Sequence, residues 1–301
     1  MNKLIIYNLL FVLMISCDYS SENVLLKNTG LNKEVVLVVD DELHNHRYTN
    51  LLEVTFEKEI DGLPQKEKMF NLIVVKKSNF SRIFQTHKNL IFLEKHENFD
   101  VSKNKWAKDQ MIINVGVQVN ENVFSKRSIK ARDLFYEKER RRISFQVKKN
   151  HNKTATRYIK DQFGVEIFIP KEYSTPIVEK DLFIADFHSY NEKQDLFKYI
   201  IIFRSKEKYL KNDNSCLRSV DSVINKYVLG ASSGTYAQID DRVSIKKQNN
   251  FFYGIWNLKN GFMGGPILVK RFNDLGVIAI GLICAPNQEK RKHIRILEAV
   301  F

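Results

Sequence analysis

The chain has 301 residues, with 48 lysines and arginines against 35 aspartates and glutamates, a formal charge of +13. Apolar residues at 44% and aromatics at 12% exclude an intrinsically disordered chain, and the length suffices for one large core or two smaller ones. The positive charge is mostly spread along the chain, and its densest run lacks interleaved aromatics or a groove-entering motif, which argues against nucleic acid as a partner.

The first residues read as a targeting segment. Lys3 precedes an apolar run from Leu4 to Ile15 broken only by Asn8, followed by Ser16 and Cys17. This is the pattern of a secretory signal, and the run is well short of the roughly 20 residues needed to span a bilayer. Met14-Ile15-Ser16-Cys17 resembles a bacterial lipobox, with Met14 where Leu is commonest. That resemblance implies cleavage after residue 16 and acylation of Cys17, and so a membrane partner through the N-terminal lipid. Removing residues 1–16 takes away Lys3 alone and leaves +12. The expected address is the cell envelope, anchored to the inner or outer membrane and facing the periplasm. Cys216 and Cys284 show no spacing that supports a disulfide or a zinc site.

Residues 17–33 are expected to form a polar tether. Beyond it, "EVVLVVDDEL" reads as a buried strand, and "RYTNLLEVTFEKEI" as a helix stopped by Asp61-Gly62 and Pro64. "MFNLIVVK", "NLIFLEK" and "QMIINVGVQV" read as strands, with a short helix from Ser78 between the first two. A charge-rich helix is expected from Asn122 to Lys149, with Phe124, Leu134, Phe135 and Ile143 as its apolar stripe. Around "KKNHNKTAT" charge rises and apolar content falls, which places a domain boundary near residue 150. The expected division is therefore 34–150 and 151–301.

The second part opens on a helix, "TATRYIKDQFG", closed by Gly164. Strands are then expected at "VEIFIP", "LFIADFHSY" and "LFKYIIIFRS". The helix "CLRSVDSVINKYVLG" follows, then strands "RVSIKKQ", "FFYGIWNLKN", "GPILVKRF" and "VIAIGLICAP", and a terminal helix. Consecutive strands with helices at the edges predict an α+β fold: two sandwich-like halves, the second a mainly antiparallel sheet flanked by helices.

Four stretches invite a chemical reading. Gly230-Ala-Ser232-Ser-Gly234 fits the G-x-S-x-G elbow, but that motif needs a strand before the Ser and a helix after it. Here a helix precedes it, with Gly230 read as its C-cap, so hydrolase chemistry at Ser232 is not expected. Asp40, Asp41, His44 and His46 could hold a divalent cation, yet no second cluster supports them, and no metal or other cofactor is expected. Lys138 to Ser144, "KERRRIS", reads as a solvated helix face, with contact to anionic headgroups as the alternative on a tethered protein. Trp256, Phe262, Met263, Gly264, Gly265 and Pro266 form a hairpin or a binding edge, with Gly264 expected at positive φ ahead of the restricted pre-proline position.

"VVLVVDDEL", "DGLPQKEKMFNL", "WAKDQ", "FGVEIFIP", "GIWNLKNGFMGGP" and "CAPNQEKRKHIRILEAV" resemble, in order, a family of uncharacterised Bacteroidetes-type lipoproteins classed as a domain of unknown function. Relatives of that type show Trp where this chain has His44, which weakens a metal reading there. The second half also loosely resembles the PsbP and Mog1 fold. The resemblance implies no activity or catalytic residue. The reading that follows is a lipid-anchored envelope protein acting as a binding or interaction module, with an envelope protein or anionic headgroups as partner. The alternative is an envelope hydrolase with a site between the two halves.

Overall fold

The computed structural model describes residues 25–189, 195–248 and 250–301; the leader, Cys17 and the start of the tether lie outside them. The described chain is α+β, with a mixed five-stranded sheet and an eight-stranded antiparallel one. No helix among the described residues is long and apolar enough to cross a membrane.

Two compact units emerge, and they do not divide at residue 150. One holds the residues up to His44 together with Ile73–Gln118; the other holds Asn45–Leu72 and Val119–Phe301. The difference has a packing cause. Helix α1 (Arg47–Phe56) and the long helix α2 (Glu121–Lys149) pack together, and α2 also packs against the terminal helix. The expected boundary follows a local change of composition, whereas the buried faces join segments far apart in sequence.

The first unit is built on β1 (Glu34–Val39), β2 (Asn71–Lys76), β3 (Asn89–Glu94), β4 (Phe99–Lys103) and β5 (Met111–Gly116), in the order β2-β1-β3-β5-β4. The β1–β3 and β3–β5 pairs are parallel, and β4 runs antiparallel on the edge. β1 is buried from Val35 to Val39, which explains why it reads as a continuous apolar run and not an alternating one. The polar strand β4, absent from the strands expected above, is mostly exposed. The last part of the expected tether is not free: Leu26 bridges to Ala107 and Thr29 to His87. Gly30 sits at φ +80°, and a Cβ there would fall 2.0 Å from His87 Nε2.

The second unit carries helix α3 (Lys153–Phe163), capped by Gly164 at φ +73°, and then β6 (Ser174–Val178), β7 (Leu182–Ser189) and β8 (Leu196–Arg204). Helix α4 (Asp213–Tyr227) leads to β9 (Tyr236–Ile239), β10 (Lys246–Gln248), β11 (Phe251–Lys259), β12 (Gly264–Phe272) and β13 (Val277–Cys284). Helix α5 (Arg291–Val300) ends the chain. The strand order is β10-β11-β12-β13-β8-β7-β6, with β9 beside β11. One core cluster gathers α3, α5 and one set of sheet residues (Ile159, Phe163, Ile200, Ile202, Leu268, Leu297), and another gathers α4 and residues such as Ile201, Trp256 and Ile280. "VEIFIP", expected as a strand, forms none, although it buries Val165, Ile167 and Ile169 in an alternating pattern.

Candidate functional site

The hairpin singled out by sequence is β11–β12, closed by a turn in which Leu258 N donates to Met263 O at 2.8 Å and Asn260 takes φ 56°. Gly264 and Gly265 are strand residues facing Asn257 and Trp256, and neither has positive φ. The expectation for Gly264 is therefore corrected. These glycines are required by close approach: a Cβ on Gly264 would lie 2.7 Å from Trp256 O, and one on Gly265 only 2.1 Å from Ile283 O. The indole of Trp256 is buried and donates from Nε1 to that same Ile283 carbonyl at 3.1 Å. Trp256 and Pro266 are thus interior residues, Met263 packs partly inward, and Phe262 alone of the six is fully exposed. Gly265→Ala is expected to cost about 1–3 kcal/mol, the usual price of forcing atoms into a packed site. Urea unfolding of the two proteins checks this; equal midpoints would contradict it.

The other sequence candidates disperse. α4 ends at Tyr227 with Val228 as its cap, so Gly230 is not the cap, and strand β9 follows Ser232 instead of a helix. Asp40 pairs with Lys77 at 3.1 Å, Asp41 accepts from the Ser78 hydroxyl at 3.0 Å, and Glu42 pairs with Lys95. His46 caps α1 by accepting from Tyr48 N. Among the described residues no group of three or more His, Cys, Asp or Glu is arranged to hold a metal. Cys216 and Cys284 are both buried thiols, with pKa values pushed up by burial.

A site that the sequence did not announce lies within the second unit. The buried stripe of α2 is Phe124, Ser128, Ala131, Phe135 and Glu139, a helical i+3/i+4 spacing that ends on a carboxylate. Leu134 and Ile143, expected in this stripe, are only half-buried. Glu139 belongs to the "KERRRIS" run read as a solvated face, yet it is 1% exposed. Its partners come from α5, where Arg291, Arg295 and Glu298 repeat at i, i+4 and i+7 on one face. Arg291 holds Glu139 through two bonds of 2.9 and 2.8 Å, a fork that fits carboxylate geometry. Arg295 donates to Glu298 at 2.7 Å, and the Tyr253 hydroxyl donates to the other Glu298 oxygen at 2.9 Å. The N-terminus of α5 is held by Glu67, which accepts from Lys290 N at 2.7 Å and Arg291 N at 2.8 Å.

Above this network opens a cleft of about 280 Å³, lined from segment 58–61, α2, β10, β11 and α5. Its lining sets Glu59, Asp61, Asp133, Glu137 and Glu298 against Lys58, Arg132 and Arg295, an acidic excess in a strongly basic chain. No serine, threonine, cysteine or histidine lines it. Arg295 is 3% exposed, and its Nε and Nη2 have no hydrogen-bonding partner among the described residues. Burial works against the Arg295 charge, but Glu298 and Glu139 outweigh it, so its pKa is raised above the ordinary value. The guanidinium lies 4.4 Å from the centre of the Tyr136 ring. Burial first, then Glu298, pushes the Tyr136 and Tyr253 hydroxyls up, so both stay protonated and able to donate.

Elsewhere on α5, His293 is buried with neither ring nitrogen partnered among the described residues. Its pKa falls to about 3 through burial and the nearby charges of Lys198, Lys292 and Lys290.

Residues 152–301 match the family model described as Domain of unknown function (DUF4837). Residues 28–148 match a second, Domain of unknown function (DUF8532), so the matches meet where the chain's charge rises. No curated protein matches the chain, and no solved structure does, so the loose likeness to the PsbP and Mog1 fold gains no support there.

Proposed function

We propose that this protein is a lipid-anchored envelope binding protein whose ligand site is the acidic cleft over Arg295. The observation that carries the reading is Arg295 itself: a buried, charged guanidinium at the cleft whose Nη2 has no hydrogen-bonding partner among the described residues and whose Nε has only an ion-pair contact of 3.8 Å with Glu139. Unmet buried donors are costly, and a ligand acceptor would remove that cost. The surrounding carboxylates favour a positively charged group on the same ligand, and the volume is near the lower end of ordinary ligand pockets (~300 Å³). Together these describe a small amino-bearing molecule with a hydrogen-bond acceptor. With no serine, threonine, cysteine or histidine in the lining, catalysis through a hydroxyl, thiol or imidazole nucleophile has no support there, which favours binding.

The experiment is a thermal-shift series on the purified mature chain with each common amino acid, glucosamine, putrescine and acetate. Ligands carrying both an amine and an acceptor are expected to raise the melting temperature, and acetate is expected to leave it unchanged. Stabilisation by acetate alone would oppose the acidic-cleft reading.

The anchor rests on residues 1–17. Cys17→Ser is expected to abolish palmitate labelling in the native host and to leave unprocessed precursor. Normal labelling of that variant would overturn the anchor.

A further inference from the structure

We propose that one end of the second unit's sheet, formed by the loop 229–235 and the turn 260–263, dips into the surface of an anionic phospholipid bilayer. Phe262 is 108% exposed at the tip of the β11–β12 hairpin, and Leu229 is 65% exposed. The two segments lie side by side. Leu229 bridges to Tyr236, Tyr236 pairs with Lys259, and Asn260 Nδ2 donates to Gly234 O at 3.4 Å. The closed turn presents Phe262 outward, while its neighbour Met263 packs against the core beneath. Singly exposed apolar residues are ordinary on protein surfaces. Here two of them are accompanied by cations seated on aromatic rings.

The Lys259 ammonium lies 5.5 Å from the centre of the Tyr236 ring, and the Lys226 ammonium 4.9 Å from that of Tyr227. An apolar tip with a collar of tyrosine and lysine matches the layering of a bilayer surface: acyl chains below, then the interfacial zone, then anionic headgroups. A protein partner would supply no such depth-ordered match, and the +12 charge left once residues 1–16 are removed complements an anionic surface. This contact is independent of both the acyl group and the Arg295 cleft. In an anchored molecule it would be a second point of attachment and would fix which face the protein turns to the membrane.

The test uses the chain from Asp18 onward, which contains every described element and carries no acyl group. Phe262→Cys is labelled with an environment-sensitive fluorophore; Cys216 and Cys284 are buried, so the new thiol is the accessible one. Vesicles of phosphatidylcholine and phosphatidylglycerol at three to one are expected to blue-shift and brighten the probe, and pure phosphatidylcholine to do so weakly. Phe262→Ser is expected to weaken vesicle partition about tenfold, with an unchanged melting temperature because the side chain touches solvent. A probe that stays in water on both vesicles, or partition unaffected by Phe262→Ser, overturns the proposal; the latter would leave binding to general basicity. Loss of a captured protein without loss of vesicle binding in Phe262→Ser would equally overturn it and reassign the tip to a protein partner.

Discussion

Replacing Glu139 by Leu is expected to lower the unfolding free energy by about 3–5 kcal/mol, the cost of leaving a buried charge without its partner. Glu139 and Arg291 are 2% and 6% exposed at their side chains, so water cannot take over when the carboxylate is removed. Arg295 would keep Glu298, but Arg291 would retain only the Met69 carbonyl at 2.8 Å among its described guanidinium bonds. The double variant Glu139→Leu, Arg291→Met removes both charges and is expected to recover most of the loss, since a well-packed apolar pair often replaces a buried ion pair at little cost. By contrast, Lys66→Ala, which breaks an exposed pair with Glu59, should cost about 1 kcal/mol or less. Urea unfolding at pH 7 measures all of these. A Glu139→Leu loss as small as that of Lys66→Ala would show that the network is not sealed from water.

Acidification is expected to destabilise the wild type more steeply than His293→Leu. The folded pKa of His293 is about 3, against an ordinary value of 6.5. Between those two values the unfolded chain binds a proton that the native chain does not, so native stability falls as pH drops through this window. At about 1.4 kcal/mol per unit, the loss is of order 4 kcal/mol. Buried Leu binds no proton in either state, so the variant should lack this component. Carboxylates such as Asp240, held near pKa about 2 chiefly by its hydrogen bond from Arg242, contribute equally to both proteins and cancel in the difference. Parallel stability curves from pH 6.5 to pH 3 would contradict the burial of a neutral imidazole.

The sequence showed most where burial is continuous. β1, β13, residues 199–203 of β8 and residues 266–269 of β12 appear as unbroken apolar runs because they are buried almost throughout, and Gly164 marks the end of α3 through a left-handed conformation. Exposed edge strands were missed: β4 has four exposed residues out of five, and β6 has three out of five. The α+β class was legible, and the expected boundary near residue 150 falls between the two family-model matches, whereas the compact units follow pairs such as Glu139 with Arg291 and Glu67 with Lys290, far apart in the chain. One signal was present. Glu139 continues the i+3/i+4 stripe of Phe124, Ser128, Ala131 and Phe135, and a charge at a core position calls for a buried partner. The glycines of "GFMGGP" stood out for a reason of backbone freedom, whereas the structure requires them for contact between neighbouring strands.

The central claim, a ligand site in the acidic cleft, is tested most directly by titration calorimetry on the mature chain and its Asp61→Asn variant. The titrant is whichever amine-and-acceptor compound gives the largest thermal shift. Asp61 lines the cleft away from the buried network's hydrogen bonds, so its neutralisation leaves the fold intact while removing one rim charge. One saturable site in the wild type, clearly weakened in Asp61→Asn with an unchanged melting temperature, is the predicted result. Absence of saturable binding, or equal affinity in the two proteins, would contradict the account.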